Sequence, residues 1–230
     1  MSNVRRKYPK LIVNEQPKSP ISEKFRGIRS NILFASADDP IKSVVVTSDG
    51  PGSGKSTTSA NLAISFAQAG YKTILIDGDM RKPTQHYLFK LPNNEGLSSL
   101  LLKWSDYESA IQSTHIEGLD VLTSGPIPPN PSELITSRSF KNMFDHISEK
   151  YNFVIIDTPP VNVVTDAQLF SNYTQHAVYV VNVESNNKEE VKKGKQLLEK
   201  SGSKIIGIVL NKAPQEKNSK YYAYYGDDKS

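Results

Sequence analysis

Short apolar runs punctuate the chain at Val44–Thr47, Thr73–Asp77, Leu119–Thr123, Phe153–Asp157, Ala177–Val183 and Lys204–Leu210. Each is brief, rich in β-branched residues and closed by turn residues, which predicts buried strands. Their apolar character is continuous, as expected where both faces of a parallel sheet are covered. Stretches with helical spacing lie between them. Ile21, Phe25, Ile28 and Ile32 form one stripe, with Glu23, Arg26 and Arg29 on the opposite face. Leu62, Ala63, Phe66 and Ala67 form a second stripe, which Gly70 is placed to end. Phe140, Met143, Phe144 and Ile147 form a third, and a Lys-rich helix around Lys188–Ser201 reads as a solvated outer face. Residues 94–113 read as helix in two pieces, the second opened by a Ser105–Glu108 capping box. Trp104 reads as a packing residue. Alternating strand and helix predicts an α/β fold with a mostly parallel central sheet flanked by helices on both faces. Its ligand is expected at the carboxyl ends of the strands.

Chemistry enters at Ser43–Thr58, where Gly50-Pro-Gly-Ser-Gly-Lys-Ser-Thr57 joins a strand to a helix. Glycines let the backbone wrap closely and turn successive N–H groups inward on a phosphate. The helix from Lys55 adds free amides and the positive end of its dipole. Lys55 would reach the β- and γ-phosphates, and the Ser56 hydroxyl would ligate Mg²⁺. Asp49 stands where the strict P-loop pattern has its first glycine, but strand, loop and helix are in place. The reading is a nucleoside-triphosphate site on a P-loop NTPase-like fold.

Two further segments carry carboxylates. Thr73–Asp77 runs into Gly-Asp79-Met-Arg81, and Phe153–Asp157 runs into Thr-Pro159-Pro160. Carboxylates at the ends of buried strands are costly unless a metal, a lysine or a substrate proton meets their charge. Asp157 fits the Walker B position, holding Mg²⁺ directly or through water.

Composition narrows the classes. The chain has 230 residues, enough for one generous α/β domain. A net charge of +4 with scattered lysines is too weak a footprint for nucleic acid. The absence of cysteine excludes disulfides, cysteine zinc sites and thiol catalysis. No apolar run reaches about 18 residues and no signal peptide opens the sequence, so a cytoplasmic location is expected. Residues 1–20 carry Arg5, Arg6, Lys7 and Lys10 among prolines and read as a flexible basic arm. Residues 21–213 form the nucleotide-binding domain. Residues 214–230 form a tail in which Tyr221, Tyr222, Tyr224 and Tyr225 fall within five positions, as phosphate acceptors would.

Together the P-loop, Ile-Leu-Ile-Asp77-Gly-Asp79-Met-Arg81 and Ile-Ile-Asp157-Thr-Pro-Pro resemble the Walker A, A′ and B motifs of bacterial tyrosine kinases. The Pro-Pro-Asn-Pro-Ser-Glu-Leu134 segment, the terminal tyrosines and Glu23-Lys-Phe-Arg26-Gly-Ile-Arg29 resemble that family too. The resemblance runs from about residue 17 to the end and is to the staphylococcal capsule-synthesis kinases of the separate-activator type. It implies an ATP- and Mg²⁺-dependent protein-tyrosine kinase that phosphorylates its own tail in trans and regulates capsular polysaccharide synthesis. It also implies a ring-forming homo-oligomer, an octamer, assembled through Glu23, Arg26 and Arg29. The implied partners are a membrane activator acting through its cytoplasmic tail, a cognate tyrosine phosphatase and capsule-synthesis enzymes as substrates. Recruitment would be to the inner face of the membrane.

The resemblance assigns roles as well. Gly50, Pro51, Gly52, Ser53, Gly54, Lys55, Ser56 and Thr57 would bind nucleotide, with Asn211 at the adenine. Ser56, Asp79 and Asp157 would serve the metal. Asp77 would accept the tyrosine proton, and Lys55 and Arg81 would act in catalysis. The rival is an ATPase switch of the chromosome-partition or septum-placement type. Those proteins carry a signature lysine where this chain has Gly50. A third reading is a scaffold that binds ATP without turnover.

Overall fold

The computed structural model describes residues 11–35, 40–103, 105–185 and 187–214. The tyrosine cluster and Trp104 lie outside them. The sheet is built from β1 (Ser43–Ser48), β2 (Thr73–Asp77), β3 (Ile111–Ser113), β4 (Leu119–Leu122), β5 (Phe153–Asp157), β6 (His176–Asn182) and β7 (Lys204–Asn211). Their order is β3-β4-β2-β5-β1-β6-β7. All neighbours are parallel except β3 against β4.

Strand alternation divides the core into two layers. Val44 and Val46 of β1 face one layer with Leu75, Ile155, Val178 and Val180, while Val45 faces the other with Ile74, Ile156 and Tyr179. The first layer is covered by α1 (Ile12–Glu15), α2 (Pro20–Phe34) and α3 (Lys55–Ala67). Here Phe66 stacks on Phe153 with ring centroids 3.7 Å apart. The second layer is covered by α8 (Arg138–Lys150), α9 (Asp166–Thr174) and α10 (Lys188–Lys200). Helix α8 starts where Ser137 Oγ accepts from Phe140 N at 3.1 Å, and it buries Phe140, Met143, Phe144 and Ile147. Each such side chain contributes about 1.5–3 kcal/mol by leaving water. Among the described residues no helix is long and apolar enough to cross a membrane.

Several expectations are corrected. Residues 94–113 form α5 (Leu97–Leu101), the short α6 (Tyr107–Ala110) and then strand β3, not a second long helix piece. Asp106 replaces Ser105 as the cap of α6, accepting from Ser109 N at 2.9 Å. Ile111 turns extended and pairs with Leu122, giving β4 the neighbour it would otherwise lack. Part of the expected arm is packed: Leu11 and Val13 are buried, and Val13 N donates to Asn61 Oδ1 on α3 at 3.0 Å. Three consecutive apolar residues, Leu11-Ile-Val13, outweigh the neighbouring charges there. On α2, Ile32 is buried while Ile21 is exposed and Ser22 takes the inner place. Glu23 and Arg26 pair within the helix, and Arg29 Nη1 donates to Ser65 O on α3 at 2.6 Å. Helix α9 and the short α4 (Gln85–Phe89) and α7 (Pro131–Ile135) were not read from the sequence.

Candidate active site

The loop after β1 turns on Gly52 and Gly54, both at positive φ. Gly54 has a second reason to be glycine, since a Cβ there would collide with the Asn211 side-chain amide. Asn211 Nδ2 donates to Ser53 O at 2.9 Å, so β7 braces the loop from behind. Ser48 Oγ and Ser53 Oγ both donate to Gly50 O at 2.8 Å. Gly54 offers no side-chain cap to α3, which leaves first-turn amides and the positive helix end for an anion. These features fit a nucleotide phosphate chain.

Lys55 Nζ lies 3.1 Å from Asp79 Oδ2 and 3.2 Å from Ser56 Oγ. Burial by itself would lower the lysine pKa, but Asp157, Asp79 and Asp77 outweigh it and hold the ammonium above its ordinary value. Asp79 Oδ1 also accepts from Lys82 N at 3.0 Å, which curls the chain after β2. Asp77, Asp79 and Arg81 therefore do not project side by side as an extended strand would place them.

Asp77 and Asp157 end neighbouring strands in direct register. Both are fully buried. Asp77 Oδ2 accepts from Thr84 N and Gln85 N, each at 2.9 Å, while Oδ1 has no partner. Burial, then the Asp157 charge, push its carboxyl up to about 8. Asp157 is also raised, by burial, against the opposing pull of Lys55. It accepts from Gln85 Nε2 at 2.8 Å and Ser59 Oγ at 3.3 Å. Two like charges on one buried level need a cation or a proton, and among the described residues the ammonium of Lys55 is the cation paired with this group of three carboxylates.

Arg81 turns away from this pair. Its Nε and Nη2 donate to Asp166 Oδ2 and Oδ1 at 2.9 and 3.1 Å, and Nη2 also reaches Ser132 Oγ at 3.0 Å. Ser132 Oγ in turn donates to Asp166 Oδ1 at 2.8 Å. Asp166 is buried at the start of α9, so the Pro-rich segment and α9 are fastened to Arg81 in the loop that follows β2.

A cleft of about 620 Å³ opens over this ground. Pro51, Gly52, Gly54, Lys55, Ser56, Thr57, Asp79 and Arg81 line it. Gly50, Ser53, Asn211, Asp77 and Asp157 lie outside the lining, with the two carboxylates beneath the floor. Lys82, Thr84, Pro159, Pro160, Val163, Val164 and Lys212 join the lining. Gln85 and Asp166 were missed in the sequence because each acts across a distance of many residues. A faint signal existed in Thr165-Asp166 ahead of Ala167 and Phe170, a helix start with apolar spacing.

The site fits ATP with Mg²⁺ on its own chemistry: a glycine cradle, a lysine, the Ser56 hydroxyl and buried carboxylates. Among the described residues no group of three or more His, Cys, Asp or Glu could hold a metal alone. Such an ion would share its ligands with phosphate and water, as Mg²⁺ does.

Comparison with known proteins agrees with the geometry. The AAA domain family matches residues 41–199. CapB of Staphylococcus aureus is 57% identical over 95% of this chain and 96% of its own length. The tyrosine-protein kinase YwqD of Bacillus subtilis is 48% identical over 94% and 91%. The crystal structure of the chimerical protein CapA2B2 superposes with a TM-score of 0.88 at 70% identity, covering 91% of this chain and 92% of that one. The septum site-determining protein MinD of Pyrococcus horikoshii, with a TM-score of 0.65 and 24% identity over 76% and 72%, shares the fold alone. A P-loop, a register-matched carboxylate pair and relatives of this closeness over nearly the full length lead to one conclusion: the chain belongs to the bacterial tyrosine-protein kinase family.

Proposed function

We propose that this kinase transfers the γ-phosphoryl group of ATP to tyrosines of its own terminal cluster, presented by another copy, and thereby regulates capsular polysaccharide synthesis. The observation that carries the chemistry is the buried Asp77–Asp157 pair beneath Lys55 at the end of β2 and β5. The γ-phosphorus to phenol-oxygen bond forms as its bond to the ADP oxygen breaks, and the electron pair leaves with ADP. The phenol proton goes to a carboxylate, for which we assign Asp77. Raised to about 8 in the nucleotide-free chain, this carboxyl must be ionised to act, which positive charge bound at the neighbouring Asp157 would favour. That ionised form is a stronger base toward a phenol of pKa ~10 than an ordinary carboxylate. Its unpartnered Oδ1 is the atom left to take that proton, which has to pass from the cleft through the floor to reach it.

Lys55 and the amides around Gly52–Thr57 hold the phosphates. Ser56, Asp79 and Asp157 would hold Mg²⁺, which when bound supplies positive charge at the phosphate oxygens. Arg81, fixed by Asp166, stands at the cleft wall. Asn211 supports the loop, and with Lys212 flanks the adenine. The family resemblance supports the remaining parts: a ring, an octamer joined by Glu23, Arg26 and Arg29; a membrane activator whose tail stimulates the kinase and recruits it; a phosphatase that resets Tyr221, Tyr222, Tyr224 and Tyr225; and capsule-synthesis enzymes as targets. Incubation of the purified chain with labelled ATP and Mg²⁺, read by phosphotyrosine blotting and mass mapping, tests the reading. Label on the terminal cluster is expected. ATP hydrolysis without any phosphotyrosine would point to a nucleotide switch instead.

A further inference from the structure

A second cavity, of about 480 Å³, opens beside the cleft and shares Arg81, Lys82 and Thr84 with it. Its far wall is apolar and open to solvent. Ile127 is 65% exposed and Tyr87, from α4, is 49% exposed, with Pro126 also in the lining. The wall is stiff. Asn93 clamps Gly125 by donating Nδ2 to its carbonyl at 3.1 Å and accepting from its N–H at 2.9 Å. Ser98 Oγ donates to Pro126 O at 2.6 Å. Prolines at 126, 128 and 129 restrict the backbone further. A surface ordered in advance loses little entropy when a ligand settles on it. Lys82 adds charge, for it forms no ion pair among the described residues.

We propose that this groove seats the polypeptide flanking the acceptor tyrosine, and that its occupant is Tyr221–Asp228 of a second copy of this chain. The inference rests on the trans-phosphorylation reading above. The segment has the complementary chemistry: tyrosines for the Ile127 wall, then Asp227 and Asp228 for Lys82. In an extended peptide, residues two apart share a side at about 7 Å spacing. Tyr222 and Tyr224 are such a pair, so when one of them enters the cleft the other is placed to lie in the groove. Topology favours a second copy. The groove is built at the carboxyl ends of β2 and β4, whereas the tail leaves from β7 at the other edge of the sheet. Lys212, between β7 and that tail, reaches Gly52 O at 3.3 Å on the P-loop side. Another molecule reaches the groove without crossing the P-loop.

The test mixes two full-length chains. The enzyme copy carries Tyr221→Phe, Tyr222→Phe, Tyr224→Phe and Tyr225→Phe, and the acceptor copy carries Lys55→Met. Adding Ile127→Asp to the enzyme copy should slow transfer at sub-saturating acceptor by about tenfold or more, the scale of one lost buried anchor. The KM for ATP and the rate at saturating acceptor should hold. Placing Ile127→Asp on the acceptor copy should change nothing. In parallel, fluorescence anisotropy of a labelled peptide of residues 215–230 should show weaker binding to the Ile127→Asp enzyme. A peptide with Asp227 and Asp228 changed to Asn should also bind more weakly. Equal transfer and equal peptide binding by the Ile127→Asp enzyme would overturn the groove. So would an effect equally large from either copy, which marks an assembly contact. No phosphate on the Lys55→Met acceptor from any enzyme would overturn the trans reading itself. Anisotropy judges the groove separately from that result.

Discussion

Gln85 Nε2 lies 2.8 Å from Asp157 Oδ2, while the Gln85 backbone N–H lies 2.9 Å from Asp77 Oδ2. One residue of α4 thus holds both buried carboxylates in place, and its amide reaches Ser56 O at 3.1 Å as well. Replacing it by alanine leaves Asp157 short of a donor in a fully buried place. We expect Gln85→Ala to cost about 1–3 kcal/mol by urea denaturation and to lower transfer. A variant as stable and as active as wild type would remove Gln85 from the site.

Asp77 carries a proton in the folded chain up to about 8, against an ordinary 3.8. The unfolded chain releases that proton earlier, so between those values the folded state binds more protons. Stability is then full at low pH and falls as pH rises through about 8. Asp157 shifts in the same direction. Urea midpoints of the nucleotide-free protein should decline from pH 5 to pH 9, and Asp77→Asn should flatten that decline. The same variant should keep nucleotide affinity within a few-fold while losing most transfer. A collapse of affinity with transfer retained would make Asp77 a metal residue.

Lys55 lines the cleft and its ammonium serves Asp79 and the site's other carboxylates, not the apolar core, so Lys55→Met should leave the fold intact and abolish phosphotyrosine. Circular dichroism and an anti-phosphotyrosine blot on one preparation check both halves. Appreciable autophosphorylation would contradict the assigned role.

Arg81 and Asp166 are unequal partners, the arginine side chain 40% exposed and the aspartate fully buried. Arg81→Ala strands a buried carboxylate to which, among the described residues, only the Ser132 hydroxyl still donates, whereas Asp166→Ala frees an arginine that can hydrate. Arg81→Ala should therefore be the more destabilising, by about 2 kcal/mol, between the value for exposed pairs and that for wholly buried ones because the arginine is partly exposed. The double variant should regain part of the loss. A thermodynamic cycle showing equal single-variant costs would refute this ordering.

Glu23, Arg26 and Arg29 were expected at a subunit boundary, yet Arg29 is bonded to Ser65 within the chain. If the proposed ring is joined there, Glu23→Ala with Arg26→Ala should dissolve it without disturbing the α2–α3 contact, whereas Arg29→Ala should also lower the melting temperature. Light scattering at micromolar concentration reads the mass. A wild-type protein that is monomeric before phosphorylation would rule out the ring.

Strand positions were legible in the sequence because burial on both faces of a parallel sheet leaves a local mark, an unbroken apolar run between turn residues. Val44–Thr47 and Phe153–Asp157 show it plainly. The glycine loop was legible for a similar reason, since its chemistry lies in consecutive residues. Helix α4 and strand β3 left no such mark: five and three residues are too few for a period to emerge. Only the tertiary structure brought Asp77 beside Asp157, set Gln85 between them and Asp166 behind Arg81. These partners are separated by between 8 and 85 residues along the chain. Their meeting depends on the strand order β2-β5-β1 and on the register of those strands. Residue type at a position sets what a side chain can do. Which charges share a dry floor, and so which carboxyl is pushed up towards the acceptor's pKa, is settled by packing between distant segments.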